Sequence, residues 1–339
     1  MTEPDVARLV RVYPTDLVGP RGNRPPAAGR YHRSGDALCF VPRFPFLADT
    51  SYTVLVHQSL TGAHDDDNVD NTAFDLEDFD AITIIRTRPP TDRTARVVEI
   101  YPTSPKVPRN HLRFYIHFSA PMSEGDVASH VHVVAADTGK RLAGALLPTE
   151  SELWDPDRRR VTVLLDPARI KRGLAPHVEL GYPLREGVPV EVVVDDGFRD
   201  AEGIGLAAGA SRHYDVGADV RRRVEPADWH IAAPRADSLD ALIVGFDRPL
   251  DHALAQRCLA VVGDDGRRVD GRVAVAAGER SWAFTPDQPW RGARHELLVD
   301  TALEDLGGNS VTRVFDRDLS DPGHAPIAHD PVRREIRPW

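Results

Sequence analysis

LRFYIHFSAPM, Leu112 to Met122, decides how the rest of this chain is read. Leu112, Phe114, Ile116 and Phe118 fall on one side of a period-two pattern, and His111, Arg113, Tyr115 and His117 on the other. That is the signature of a strand with one face in a core. Pro121 ends it, because proline has no N–H to give a sheet ladder. ALIVGFDRPL, Ala241 to Leu250, is a weaker copy, and placing the two in register aligns most of the chain as repeated β-units.

Further repeats follow from that register. LVRVYPT (9–15) matches VVEIYPT (97–103) and, more faintly, WHIAAP (229–234). A second block recurs as FVPRFPFLADTSYTVLVH (40–57), as LLDPARIKRG (164–173) continuing to VPVEVVV (188–194), and as FTPDQPWRGARHELLVD (284–300). FRDAEGIGL (198–206) and LEDLGGNSV (303–311) form a third block, aligning Asp200 with Asp305 and Gly203 with Gly308. An Asp that caps a turn and a Gly that supplies positive φ explain that pairing.

The registers divide 339 residues into a partial β-domain over 1–88, two complete domains over 89–218 and 219–320, and an extended tail over 321–339. That size suits several cores of about 100 residues each. With 28 Pro, 25 Gly and 2 Met, the composition favours turns and short strands, so the expected class is all-β. The first unit lacks a counterpart of LRFYIHFSAPM. Its place is taken by GPRGNRPPAAGRYHRSGD (19–36), whose prolines preclude a central strand. Such a unit either packs on its neighbour or leaves a sheet edge open to an extended partner segment.

A net charge of −10 argues against non-specific nucleic-acid binding, and no apolar run is long enough for a membrane helix. The basic runs 158–160 and 221–223 read as solvated turns or linkers, Cys39 and Cys258 as buried free thiols, and Trp154, Trp229, Trp282 and Trp290 as packing residues. MTEPDVARLVRVYP lacks the pattern of a secretory signal, so the expected compartment is cytoplasmic, or exported if the start is trimmed.

The YPT-ended strand, HFSAPM, the Gly turns in VVAADTGKRLAGAL and VVGDDGRRVDGRV, and the turn LEDLGGNSV together resemble the SbsA type of bacterial Ig-like domain. The resemblance covers units two and three nearly whole and half of unit one. It implies tandem antiparallel β-sandwiches of Ig-like type and a binding or scaffold role toward a protein or peptide, without implying one chemistry. HFSAPM is also similar to CopC-type copper-binding domains. Their site resembles one built on an N-terminal histidine, whereas this chain begins MTEPD, so those ligands do not carry over.

Two constellations suit metals. His111 with His117, and His130 with His132, each lie on one face of a predicted strand, and an H-x-H pair with a third ligand can hold copper or zinc. Unit three has Gly245, Cys258 and Ala260 where unit two has His117, His130 and His132, so the fold does not require them. The strand after FSAPM crosses to the opposite sheet in an Ig-like sandwich, which would separate the two pairs. HDDDNVDNTAFDLEDFD (64–80) places Asp66, Asn68, Asp70 and Glu77 at calcium-loop spacing, although Asn71 stands where the loop needs glycine. No nucleophile elbow, P-loop, H-E-x-x-H or C-x-x-C motif is present. The leading expectation is a non-catalytic binding protein; the alternative is a metal-dependent enzyme or accessory protein built on the unit-two histidines or on the junction of units one and two.

Overall fold

The computed structural model describes residues 3–18, 25–34, 37–60, 76–87, 92–149, 151–327 and 330–339. Unit one opens with α1 (Glu3–Leu9) and β1 (Val10–Pro14), continues through β2 (Gly29–Ser34) and β3 (Ala37–Pro42), and ends in β4 (Thr50–His57) and β5 (Phe79–Arg86). β4 is the middle of an antiparallel sheet ordered β1-β4-β5, while β2 and β3 form a separate hairpin. An aromatic ladder fastens the hairpin to the sheet: Tyr31 and Phe40 rings lie 5.0 Å apart, Phe40 and Phe46 6.3 Å, and Phe46 and Tyr52 4.1 Å. The Tyr31 hydroxyl donates to the Val10 carbonyl at 2.7 Å.

Unit two comprises β6 (Val97–Tyr101), β7 (Lys106–Pro108), β8 (Arg113–Phe118), α2 (Val127–His130), β9 (Val131–Ala135), β10 (Leu153–Trp154), β11 (Arg160–Leu164), α3 (Pro167–Ile170), α4 (Ala175–Leu180), β12 (Val190–Val194) and β13 (Ala210–Gly217). Its sheets are ordered β10-β11-β8-β6 and β7-β13-β12-β9. With strands lettered along the chain, the first is D-E-B-A and the second holds G-F-C, the wiring of an Ig-like sandwich. The first strand is split across the layers: β6 pairs with β8, and β7 runs parallel to β13. Phe114, Ile116 and Phe118 face Val131, Val133, Val190, Val192 and Tyr214 in one buried core.

Unit three repeats the wiring with β14 (His230–Ala232), β15 (Leu242–Gly245), α5 (His252–Arg257), β16 (Leu259–Val262), β17 (Gly271–Val275), β18 (Ser281–Pro286), β19 (His295–Val299) and β20 (Val332–Ile336). Its sheets are β14-β15-β18-β17, again A-B-E-D, and β16-β19-β20, which is C-F-G. The segment expected to run as an extended tail therefore contains strand G, paired antiparallel with β19 from His295↔Ile336 to Val299↔Val332. Its alternation is hidden by Arg333, Arg334 and Glu335, which leave Val332 and Ile336 as the apolar positions. The chain is all-β, with tandem Ig-like sandwiches after a smaller first unit.

The repeated Asp turns are alike in atomic detail. Asp200 Oδ1 accepts from the N–H of Glu202 and of Ile204, both at 2.9 Å, and Asp305 Oδ1 accepts from Gly307 at 2.9 Å and Asn309 at 3.0 Å. Gly203 and Gly308 have φ of +84° and +75°. Each turn bridges back to the end of strand B, Asp200 to Met122 and Asp305 to Leu250.

Two readings of side chains need correction. Arg221, in the run expected to be solvated, is only 12% exposed and sits between Asp219 and Asp316, because the linker is pressed into the junction of units two and three. Cys258 is buried but Cys39 is half-buried, lying in the two-stranded hairpin rather than in a core; both thiols are free. Trp229, Trp282 and Trp290 fill the unit-three core and Trp154 packs against that of unit two.

Candidate functional site

The polar face of β8 is where the two complete domains differ in sequence, and it forms their junction. Period-two alternation would leave this face in water, yet Tyr115 and His111 are 6% and 1% exposed because unit three covers them. The Tyr115 hydroxyl donates to both Asp251 carboxylate oxygens, at 2.9 and 2.8 Å. Asp251 also caps α5, accepting from the Leu254 N–H at 2.9 Å. Arg113 lies with Nε 3.3 Å from Asp251 and bonds Glu304. Burial pushes the Tyr115 hydroxyl far up, with the Asp251 charge acting in the same direction. Burial also raises Glu304, a rise that Arg113 opposes.

A second cluster locks the start of unit two. Glu279 is fully buried at the β17–β18 turn, and its Oε1 accepts from the N–H and hydroxyl of Thr103 at 2.7 and 2.6 Å. Its Oε2 accepts from the Ser104 N–H at 2.9 Å. Burial alone would raise this carboxyl, but the nearby His252 ring and the hydrogen bonds from Thr103 and Ser104 outweigh it and hold the group below its ordinary value. The His252 ring stacks on Tyr101 with centroids 3.6 Å apart, and His117 meets the same tyrosine edge-on at 5.0 Å.

The long F–G excursion of unit three completes the junction. His111 Nδ1–H donates to the Leu306 carbonyl at 3.1 Å, while its Nε2 is buried without a partner. Burial drives this imidazole down to about 3, an effect to which Arg113 adds and which the Leu306 bond and Glu279 oppose. Leu306 itself enters the unit-two core. Arg172 pairs with Asp316 at 3.0 Å, and Lys171 lies 4.7 Å over the Phe315 ring. Among the described residues this buried polar junction lies between units two and three.

The sequence-marked histidines separate as the sheet crossing implies. β8 and β9 lie in opposite sheets, so His111 and His117 do not meet His130 and His132. His130 ends α2 and His132 lies in β9, and both turn toward Asp195: Nδ1 of His130 is 2.7 Å from Oδ1, and Nε2 of His132 is 3.6 Å from Oδ2. Burial, reinforced by Arg141, lowers His132. Among the described residues no three His, Cys, Asp or Glu side chains are grouped to hold a metal ion. Asp66, Asn68 and Asp70 lie outside the described residues, and Glu77 belongs to a short 3-10 turn, Leu76–Asp78, ahead of β5. Sequence reasoning missed Asp251, Glu279 and Glu304. Each sits in a polar turn or cap, and nothing in period-two alternation marks a turn that meets another domain.

Unit one contributes a different surface. β5 is the outer strand of its sheet, and Ile82, Ile84 and Ile85 are 55%, 42% and 67% exposed. They point to both faces of the strand, and no strand among the described residues pairs with its outer edge. The unit touches unit two through Arg86 with Glu202, at 2.5 Å, and Arg30 with Glu124.

No protein-family model matches this sequence, and no curated relative does. Solved structures similar to it include the MG0-NIE-MG1 domains of native alpha-2-macroglobulin from Escherichia coli, 9% identical over 72% of this chain and 90% of that one, with a TM-score of 0.24. Domains 1–6 of the surface layer protein SbsC are 10% identical over 61% of this chain and 39% of that one, with a TM-score of 0.26. The titin Ig tandem A164-A165 is 7% identical, over 72% of this chain and 96% of that one, with a TM-score of 0.19. The fold class rests on the strand wiring itself. No helix among the described residues is long and apolar enough to cross a membrane.

Proposed function

We propose that this chain is a non-catalytic, multi-domain Ig-like binding or scaffold protein that holds an extended segment of a protein or peptide partner along β5. The observation that carries this reading is the outer edge of β5, with Ile82, Ile84 and Ile85 exposed on both faces. Native sheets blunt their edges with charge, proline or cover, because unpaired N–H and C=O groups invite another strand. Among the described residues β5 has none of these along Ala81–Ile85, and an added strand would satisfy its backbone while gripping alternate side chains. Units two and three, fastened by buried ion pairs and hydrogen bonds, serve as a stiff arm that fixes where this edge is presented.

The test starts from a partner captured by the full chain and identified by cross-linking. Replacing Ile82 and Ile85 together by lysine weakens that partner about tenfold or more while leaving the melting temperature within a few degrees. Unchanged affinity in the double variant overturns the reading.

A metal-binding accessory role is the second reading, favoured by the approach of His130 and His132 to one carboxylate, Asp195. Metal analysis of the purified chain separates the two. Stoichiometric copper or zinc, lost on replacing both histidines by alanine, establishes the second; its absence after loading dismisses it.

A further inference from the structure

The residues of β5 are complementary to themselves when the strand is reversed. Outward from Thr83 they run Ile82 and Ile84, then Ala81 and Ile85, then Asp80 and Arg86. In two antiparallel strands related by a two-fold axis perpendicular to the sheet, residues equidistant from the axis stand directly opposite each other on one face. Centring the axis on Thr83 therefore sets Ile82 against the second copy's Ile84, Ala81 against its Ile85, and Asp80 against its Arg86. Each of these pairs forms twice, and Thr83 meets itself. Opposed β-branched side chains and opposite charges both stabilise a strand pair, and a large residue fits best across from a small one. Centring on Ile82 would instead set Asp80 against Ile84, and centring on Ile84 would set Arg86 against Ile82. The charges thus favour the Thr83 register over its neighbours.

The rows behind these residues lead to the same partner. Across β1, β4 and β5, Val12 lies beside Val54 and Ile82, and Pro14 beside Tyr52 and Ile84. Val12 and Tyr52 are buried while Ile82 and Ile84 are exposed, so two apolar rows of one face run out at β5. A second β5 in the Thr83 register continues each row into the other copy's: Ile82 passes to its Ile84, Tyr52 and Pro14. The result is one antiparallel sheet ordered β1-β4-β5-β5-β4-β1. Arg86 already contacts Glu202 of unit two through Nη2. A guanidinium carries five N–H donors in a planar fork, so it can accept a second carboxylate while keeping the first.

We propose that the strand received by β5 is the β5 of a second copy of this chain, paired antiparallel about Thr83. The inference rests on the reading of β5 as an open edge and adds what fills it. Sedimentation of the full chain across the micromolar range is expected to show a monomer–dimer equilibrium. Asp80→Arg and Arg86→Asp should each weaken the dimer about tenfold or more, since like charges then face each other. An equimolar mixture of the two should recover it, because two arginines then face two aspartates. The register has its own test in a Cys39→Ser chain. Thr83→Cys should oxidise to a disulfide-linked dimer, its Cα atoms lying within disulfide reach across the axis, whereas Ala81→Cys, displaced along the strand from its own copy, should not. A full chain that stays monomeric while its β5 amides exchange fast leaves the edge open and overturns self-pairing alone. A dimer that survives Ile82→Lys with Ile85→Lys, or that Ala81→Cys captures as readily as Thr83→Cys, also overturns the pairing. β5 amides protected in the dilute monomer would overturn both the pairing and the open edge.

Discussion

His111 shows how a single side chain changes meaning when its surroundings are known. Its place beside a strand marks it as a surface ligand, yet it is buried against Leu306 with one ring nitrogen unpartnered. Its folded-state value of about 3 lies below the ordinary 6.5, so the unfolded chain binds the proton first on acidification. The neutral ring is therefore tolerated fully above 6.5, and stability falls as the pH drops from there toward 3. Between pH 7 and 5 this one group removes about 2 kcal/mol. Urea denaturation at the two pH values should show that loss in the parent and a smaller one in His111→Asn, whatever the variant costs at pH 7. Glu279 acts in the same sense, since a carboxylate held below its ordinary value stabilises above that value and loses its contribution in acid. Glu279→Gln removes a buried charge that three donors surround, and is expected to cost about 2–3 kcal/mol in the same measurement.

At the scale of elements, the turns and strands differ in how much they disclose. The paired Asp turns were legible because their chemistry is local: a carboxylate accepting two backbone N–H groups and a glycine at positive φ leave the same letters each time. Gly308 carries an added constraint, since a Cβ there would stand 2.8 Å from Leu112 Cδ2. Gly308→Ala should therefore destabilise by about 2 kcal/mol or more, against about 1 kcal/mol for Gly266→Ala, where φ is also +75° but a Cβ meets nothing within 4 Å. Thermal melts of the two variants make that comparison. β20 was illegible because three consecutive charged residues stand between its two apolar positions, so its identity comes only from pairing with β19. Removing residues 331–339 should unfold unit three, seen as loss of the near-ultraviolet signal of Trp229, Trp282 and Trp290; a native spectrum would contradict the strand's role.

For the whole molecule, the inward faces of β8 and β15 were readable because hydrophobic alternation reports directly on a core: Phe114, Ile116, Leu242 and Val244 are all fully buried. The outward face of β8 was not, since polar residues buried against another domain leave the same pattern as polar residues in water. Of the outward residues His111, Arg113, Tyr115 and His117, Arg113 and Tyr115 are held by Asp251 and Glu304 of unit three. The absent central strand of unit one pointed to an open edge, while only the pairing order shows that β4, Thr50–His57, is bonded on both sides and that β5 is an outer strand. The proposed role of β5, receiving a partner strand, requires its outer edge to be open in the free chain. Residue-resolved hydrogen exchange on the free chain tests it most directly. Amides of β4 should exchange slowly, and alternate amides across Ala81–Ile85 at rates near those of an unstructured peptide. Protection throughout Ala81–Ile85 equal to that of β4 would contradict it.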